Sequence, residues 1–242
     1  MRMVFLLRIA LRRVQAFAGA ALFFLGAAAS AQLAPAPVPA MVVHTRGSVL
    51  SLEVAGAPQT KLQVTLPGHI TAAALSGPGL APVIAVATAS PFALHLLDRH
   101  LQPLQTLRLR DRSAKLESAV CAIHVAAQRQ SFVLIFSDMP ELWEVSYNPT
   151  SPEIGLGMVH DFQYREGHFV PGYLNPLRSS LSFVPTHSAL GTEGHTVVLR
   201  AGGTAEPFNE VVIHLDVRKP IVASGDARGP WVACAGSELL QK

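Results

Sequence analysis

Charge is scarce in this chain: 14% of its 242 residues are Asp, Glu, Lys or Arg, and the formal net charge is only +3. Four of the positive charges, Arg2, Arg8, Arg12 and Arg13, fall within the first thirty-one residues, and removing them takes the balance from +3 to −1. A generally basic face for nucleic acid is therefore excluded. Cysteine is nearly absent, with Cys121 and Cys234 alone, and no Cys-x-x-Cys-His occurs, which excludes covalent c-type haem attachment. No G-x-S-x-G elbow is present, and the Gly-rich pieces SGPGL (76–80) and AGGTAE (201–206) match neither a phosphate loop nor a dinucleotide fingerprint. Beyond residue 31 no apolar run is long enough to span a bilayer. Helical patterning is missing too, because the 36 Gly and Pro residues interrupt every apolar run.

Residues 1–31 begin with arginines, continue through the apolar stretch Phe17 to Leu25, and end on Ala29-Ser30-Ala31 before Gln32. That order reads as a secretory signal peptide, with membrane contact only during export; the other reading is an uncleaved anchor, for which the stretch is short. Residues 32–39 are a Pro/Ala linker, and 40–242 the folded domain of an exported, periplasmic protein. Export permits a disulfide. Both cysteines nevertheless sit in small apolar surroundings, AVCAI and WVACAG, so the expectation is two buried thiols.

The strongest structural signal is SFVLIFSDMPELWEVSYNP (131–149), two short apolar runs around Ser137-Asp138-Met139-Pro140, which reads as a β-hairpin. The unit recurs. VLSLEV (49–54), ALHLLD (93–98), LWEVSY (142–147) and VVIHLD (211–216) align, each preceded by an apolar run: MVVHT, PVIAVAT, SFVLIFS and HTVVLRA. Each is followed by another: KLQVTL (61–66), LQTLRL (104–109), GMVHDF (157–162) and PIVAS (220–224). A leading strand stands before the second, third and fourth copies: ITAAALS (70–76), SAVCAIHVA (118–126) and SLSFVPT (180–186). Four strands at this period predict an all-β fold, a β-propeller of about four four-stranded blades, with a β-sandwich as the competing architecture. The first copy lacks its leading strand. The leftover PWVACAG (230–236) either closes the ring there or begins a fifth blade, and the closing strand of a self-contained ring is the favoured assignment.

The insertion after the third copy, residues 159–173, holds the densest polar cluster. Its candidate binding residues are His160, Tyr164, Arg165, His168 and Tyr173: imidazoles for a tetrapyrrole iron, a guanidinium for a carboxylate, phenols for hydrogen bonds. A His pair with no third ligand makes no metal site of its own, and the bland alternative is a solvated loop with an Asp161–Arg165 ion pair. His95, Asp98 and His100 read as strand-end polarity, and His124 and His214 as satisfied core or channel-facing histidines.

The stretch FSDMPELWEVSYNP, followed by GMVHDFQYREGHFVPGYLNPLRSS, and the later VVIHLDVRKPIVAS resemble the cytochrome d1-type β-propeller family, which includes the haem d1 domain of cytochrome cd1 nitrite reductase and related haem d1 assembly proteins. The similarity covers roughly residues 40–236, and ELWEVSY with its His-Asp-containing insertion is its most specific part. The resemblance implies a propeller that binds haem d1 over its central face through an axial histidine and arginines paired with the acidic substituents. Here about four blades stand where the family has about eight, so the chain resembles a half-length or degenerate member. With no c-type haem to deliver electrons, a self-sufficient reductase is not what the resemblance implies. It implies instead a periplasmic binding or maturation protein whose partner is a tetrapyrrole or another periplasmic protein. The alternatives are a non-catalytic interaction scaffold and, more remotely, a tetrapyrrole-modifying enzyme.

Overall fold

The computed structural model describes residues 41–54, 57–161, 166–201, 210–221 and 229–234. The signal-peptide and linker readings lie outside them. The domain is all-β, and its four successive sheets are propeller blades.

Blade 1 has three strands, β1 (Met41–Arg46), β2 (Val49–Val54) and β3 (Ala57–Thr65), in that order. Blade 2 has four, β4 (His69–Leu75), β5 (Val83–Ala89), β6 (Ala93–Asp98) and β7 (Pro103–Arg108). Blade 3 begins with β8 (Val120–Ala126), β9 (Ser131–Phe136) and β10 (Glu141–Ser146). Its fourth strand is not GMVHDF. Residues 157–161 of that segment lie in β11 (Ile154–Asp161), which pairs with β12 (Glu166–Val170) as a separate two-stranded ribbon, and β13 (Pro176–Ser180) takes the outer place beside β10. Blade 4 comprises β14 (Pro185–Leu190), β15 (Thr196–Ala201), β16 (Glu210–His214) and β17 (Lys219–Ile221), so its leading strand starts later than SLSFVPT suggested, at the proline of that run.

The leftover segment forms β18 (Val232–Ala233), and it does not complete blade 1. It adds antiparallel to β14, pairing Ser188 with Val232 and His187 with Ala233. Cys234 follows directly and is joined to Cys121 of β8 in a disulfide. The expectation of two free thiols is thereby corrected. Small apolar surroundings describe a disulfide packed between two blades as well as they describe a buried thiol, and only the pairing of β18 with β14 brings the two Cα atoms to 5.1 Å.

Blade-on-blade packing explains the strand sequences. β9 is buried along its whole length because its two faces meet two neighbours. Phe132, Leu134 and Phe136 pack with Ala85, Leu94 and Leu96 of blade 2, while Val133 and Ile135 pack with Val197, Leu199 and Ile213 of blade 4. A sheet covered on both faces needs a continuous apolar run, as SFVLIF supplies. β2 alternates instead: Leu50 and Leu52 pack on Ile84, Val86 and Leu97, while Ser51 and Glu53 point the other way. On that outer face Gln63 donates to Ser51 Oγ (3.1 Å) and Glu53 pairs with Lys61 (3.1 Å) and His44 (3.6 Å). Among the described residues, hydrophobic clusters join blades 1–2, 2–3 and 3–4, and none joins 4 to 1.

Candidate functional site

The ribbon stands where the third blade crosses from β10 to its outer strand. Its register pairs Ile154 with Val170 and Leu156 with His168. Cross-strand partners share a face, so these four residues occupy one side of the ribbon. That side forms a wall of a groove of about 720 Å³, whose apolar lining is Leu107, Ile154, Leu156, Val170 and Leu177. Its cationic lining is Arg112, Arg178 and Arg218, and among the described residues no Asp or Glu lines it.

Each arginine arrives from a different element. Arg178 is the register partner of Trp143, and its guanidinium carbon lies 4.0 Å from the indole centroid. Its Nη1 donates to the Arg110 carbonyl (3.1 Å), and its own carbonyl accepts from Arg112 Nη2 (2.9 Å). Burial lowers the Arg178 pKa; Glu141 opposes that, and Arg112 and Arg110 add to it. The group stays charged, since guanidinium does not deprotonate in proteins. Glu141 is itself buried and occupied, accepting from Trp143 Nε1 (2.8 Å) and the Arg112 N–H (3.3 Å). Arg218 sits in the tight turn after β16 with φ +54°, held by its N–H to the His214 carbonyl (2.7 Å). Among the described residues no carboxylate pairs with the side chain of Arg112 or Arg218. A partly desolvated cluster of cations with so little local compensation favours an anion.

On the other side of the ribbon base lies a second cavity of about 370 Å³, sharing Ile154, Asn175, Leu177 and Arg218 and adding Arg129, Glu144 and Ser151. Arg129 is committed to structure. It bonds Glu144 (2.8 Å) and Asp216, tying blade 3 to blade 4. Burial alone would lower its pKa, but the bonds to Glu144 and Asp216 outweigh that and raise it.

Of the residues proposed from sequence, His168 shares a ribbon face with Ile154 and Leu156 but is exposed and absent from the groove lining. Tyr173 is half-buried against the core between blades 2 and 3 and is absent from the groove lining, so the structure does not bring it to the same place. The backbone of His160 lies within β11, and its side chain is outside what is described; Tyr164 and Arg165 lie outside the described residues. Arg112, Arg178 and Arg218 were missed because they belong to unrelated turns and an outer strand. The only signal was a cluster of arginines, Arg108, Arg110 and Arg112, too short to stand out. His95 is satisfied by Thr88 (3.3 Å) and Thr106 (3.4 Å), and His124 by Ser188 (2.8 Å), so both read as structural. No group of three His, Cys, Asp or Glu among the described residues is arranged to hold a metal ion.

No protein-family model matches this chain. No curated protein matches it either. Among solved structures it is similar to dihydro-heme d1 dehydrogenase NirN in complex with DHE, at 20% identity and a TM-score of 0.56, over 75% of this chain and 34% of that one. It is also similar to the β-propeller domain of Myceliophteria thermophila Cps50 (Swd1), at 15% identity and a TM-score of 0.43, over 77% of this chain and 53% of that one. The chain thus spans about a third of the length of NirN, and at such identity the likeness speaks for the fold alone, a β-propeller. Among the described residues no helix is long and apolar enough to cross a membrane.

Proposed function

We propose that this protein is a periplasmic, propeller-type binding or maturation protein for an acidic tetrapyrrole of the haem d1 class, held in the groove beneath the β11–β12 ribbon. The observation that carries the reading is the conjunction of three arginines with an apolar wall. A macrocycle edged with carboxylates has an apolar face to bury and anionic groups to pair, and the volume suits a ligand of that size. Arg112, whose Nη2 is held by the Arg178 carbonyl, and Arg218 offer guanidinium groups that no carboxylate among the described residues pairs, and Arg178, placed over Trp143, offers a pre-oriented one. His168, on the same ribbon face as Ile154 and Leu156 but outside the groove lining, is the candidate imidazole that would ligate the iron. When bound, the macrocycle would supply its iron and its redox chemistry, while the chain's own residues orient it and shield one face from water. The disulfide and the leader-like start support an oxidising, extracytoplasmic setting.

The test is absorption titration of the purified protein with haemin and with haem d1. A saturable Soret shift is expected. Arg218→Ala and Arg112→Ala should each weaken it by about tenfold, the value of one charge-assisted hydrogen bond or slightly less. His168→Ala should move the band more than it changes the affinity. A chain that gives no saturable shift with either haem overturns the reading and leaves the interaction-scaffold alternative.

A further inference from the structure

Blades 2, 3 and 4 each place a leading strand, β4, β8 or β14, against their second strand, β5, β9 or β15. β1 is the counterpart of those second strands, and on that side it has no neighbour among the described residues, its only pairing being with β2. The two-residue turn Gly47-Ser48 makes Arg46 and Val49 the first hydrogen-bonded pair, so bonding to β2 falls on Arg46, His44 and Val42. The N–H and C=O groups of Met41, Val43 and Thr45 therefore face the side on which no described strand pairs. Met41 and Val43 pack their side chains on the blade 1–blade 2 core, which fixes the strand and its edge in place. The turn is anchored as well, Gly47 O accepting from Ile70 N–H (2.9 Å) and Ser48 O from Leu66 N–H (2.9 Å).

We propose that this edge is a docking site for an extended peptide strand of a partner protein, added antiparallel to β1. The three sister blades state the chemistry of the occupant. Their leading strands run six or seven residues, HITAAAL, VCAIHVA and PTHSAL, and are rich in small and β-branched residues. A partner segment of that length and composition, with no proline after its first residue, meets the backbone donors and acceptors of Val43 and Thr45 and continues the inter-blade packing already made by β4. β18, the one strand whose composition suited the place, is committed to β14 and fastened by the disulfide, so it does not compete.

The probe is a synthetic peptide copying β4 with its next residue, HITAAALS, titrated into the full chain and followed by fluorescence anisotropy and amide hydrogen exchange. Saturable binding is expected, with slowed exchange at Val43 and Thr45. Thr45→Pro removes a donor on the docking side and leaves the β1–β2 bonds intact, so it should weaken binding about tenfold while the melting temperature holds. A peptide N-methylated at alternate residues should lose binding to a comparable degree and requires no change in the protein. Absence of binding, equal affinity for the Thr45→Pro variant, or a free chain that sediments as a dimer with the same amides already protected would each overturn the proposal, the last by making a second copy the occupant.

Discussion

Arg178 and Trp143 are cross-strand partners on β13 and β10, and the guanidinium carbon sits 4.0 Å over the centroid of an indole that is itself fully buried. The pair joins the core of the third blade to the groove. Trp143 meets Phe136 edge-on at 5.1 Å and bonds the buried Glu141, so one side chain supports both the packing and a buried carboxylate. Trp143→Ala is expected to cost about 3–5 kcal/mol, as for other buried aromatic truncations. Urea unfolding measures it, and Trp143→Phe, which keeps the ring contact but not the Glu141 bond, should fall between the two.

The Cys121–Cys234 disulfide spans 113 residues and fixes β18 across blades 3 and 4. Reduction, or Cys234→Ser, should lower stability by about 2–4 kcal/mol. Denaturant curves with and without reductant check this, together with alkylation, which should label neither cysteine before reduction and both after it.

Stability should fall with acid in two stages. Burial holds the pKa values of His95 and His124 below the ordinary imidazole value, so the unfolded chain takes up those protons first and stability drops as pH falls below about 6.5. Asp216 has a depressed pKa, chiefly through the hydrogen bond from Arg129. Its contribution is present above the ordinary carboxylate value and is lost as pH falls through the lower, folded-state value, below about 4. Melting temperature followed from pH 7 to 3 should show both stages. Asp216→Asn should flatten the second and leave the first.

Gly172 sits at the ribbon base, where an added Cβ would come within 2.0 Å of the Pro152 carbonyl oxygen. Gly172→Ala must push the 151–153 segment aside, at a cost of about 1–3 kcal/mol. It should also weaken ligand binding in the groove, because Ile154 is carried by the same segment.

The strands of blades 2 and 3 were legible because a sheet packed on both faces needs unbroken apolar runs, and PVIAVAT and SFVLIFS can do little else. Among the described residues blade 1 has three strands, in keeping with a first copy that shows no leading run. The outer strand of blade 3 was not legible, since PLRSS has little β-propensity and takes its place by pairing with β10, while residues 157–161 of the more strand-like GMVHDF lie in the ribbon. The destination of PWVACAG was equally hidden: composition suited two edges, and the choice of β14 depends on a disulfide 113 residues long. His168 was singled out because it lies in a dense polar insertion; the structure places it on the ribbon but not in the groove lining. The groove arginines were not singled out, because convergence of positions 112, 178 and 218 is a property of the blade arrangement.

The polar outer face of blade 1 acts as a terminus for lateral growth. Stacking another blade there would strip water from Glu53, Lys61 and His44, whose side chains are now 39%, 44% and 55% exposed. Desolvating such ions costs several kcal/mol each, whereas every internal blade boundary gains from apolar contact. Terminal repeats of solenoids stay soluble by the same device. Association at this end of the domain is thereby confined to main-chain pairing along the β1 edge, which selects for backbone conformation and against broad hydrophobic adhesion.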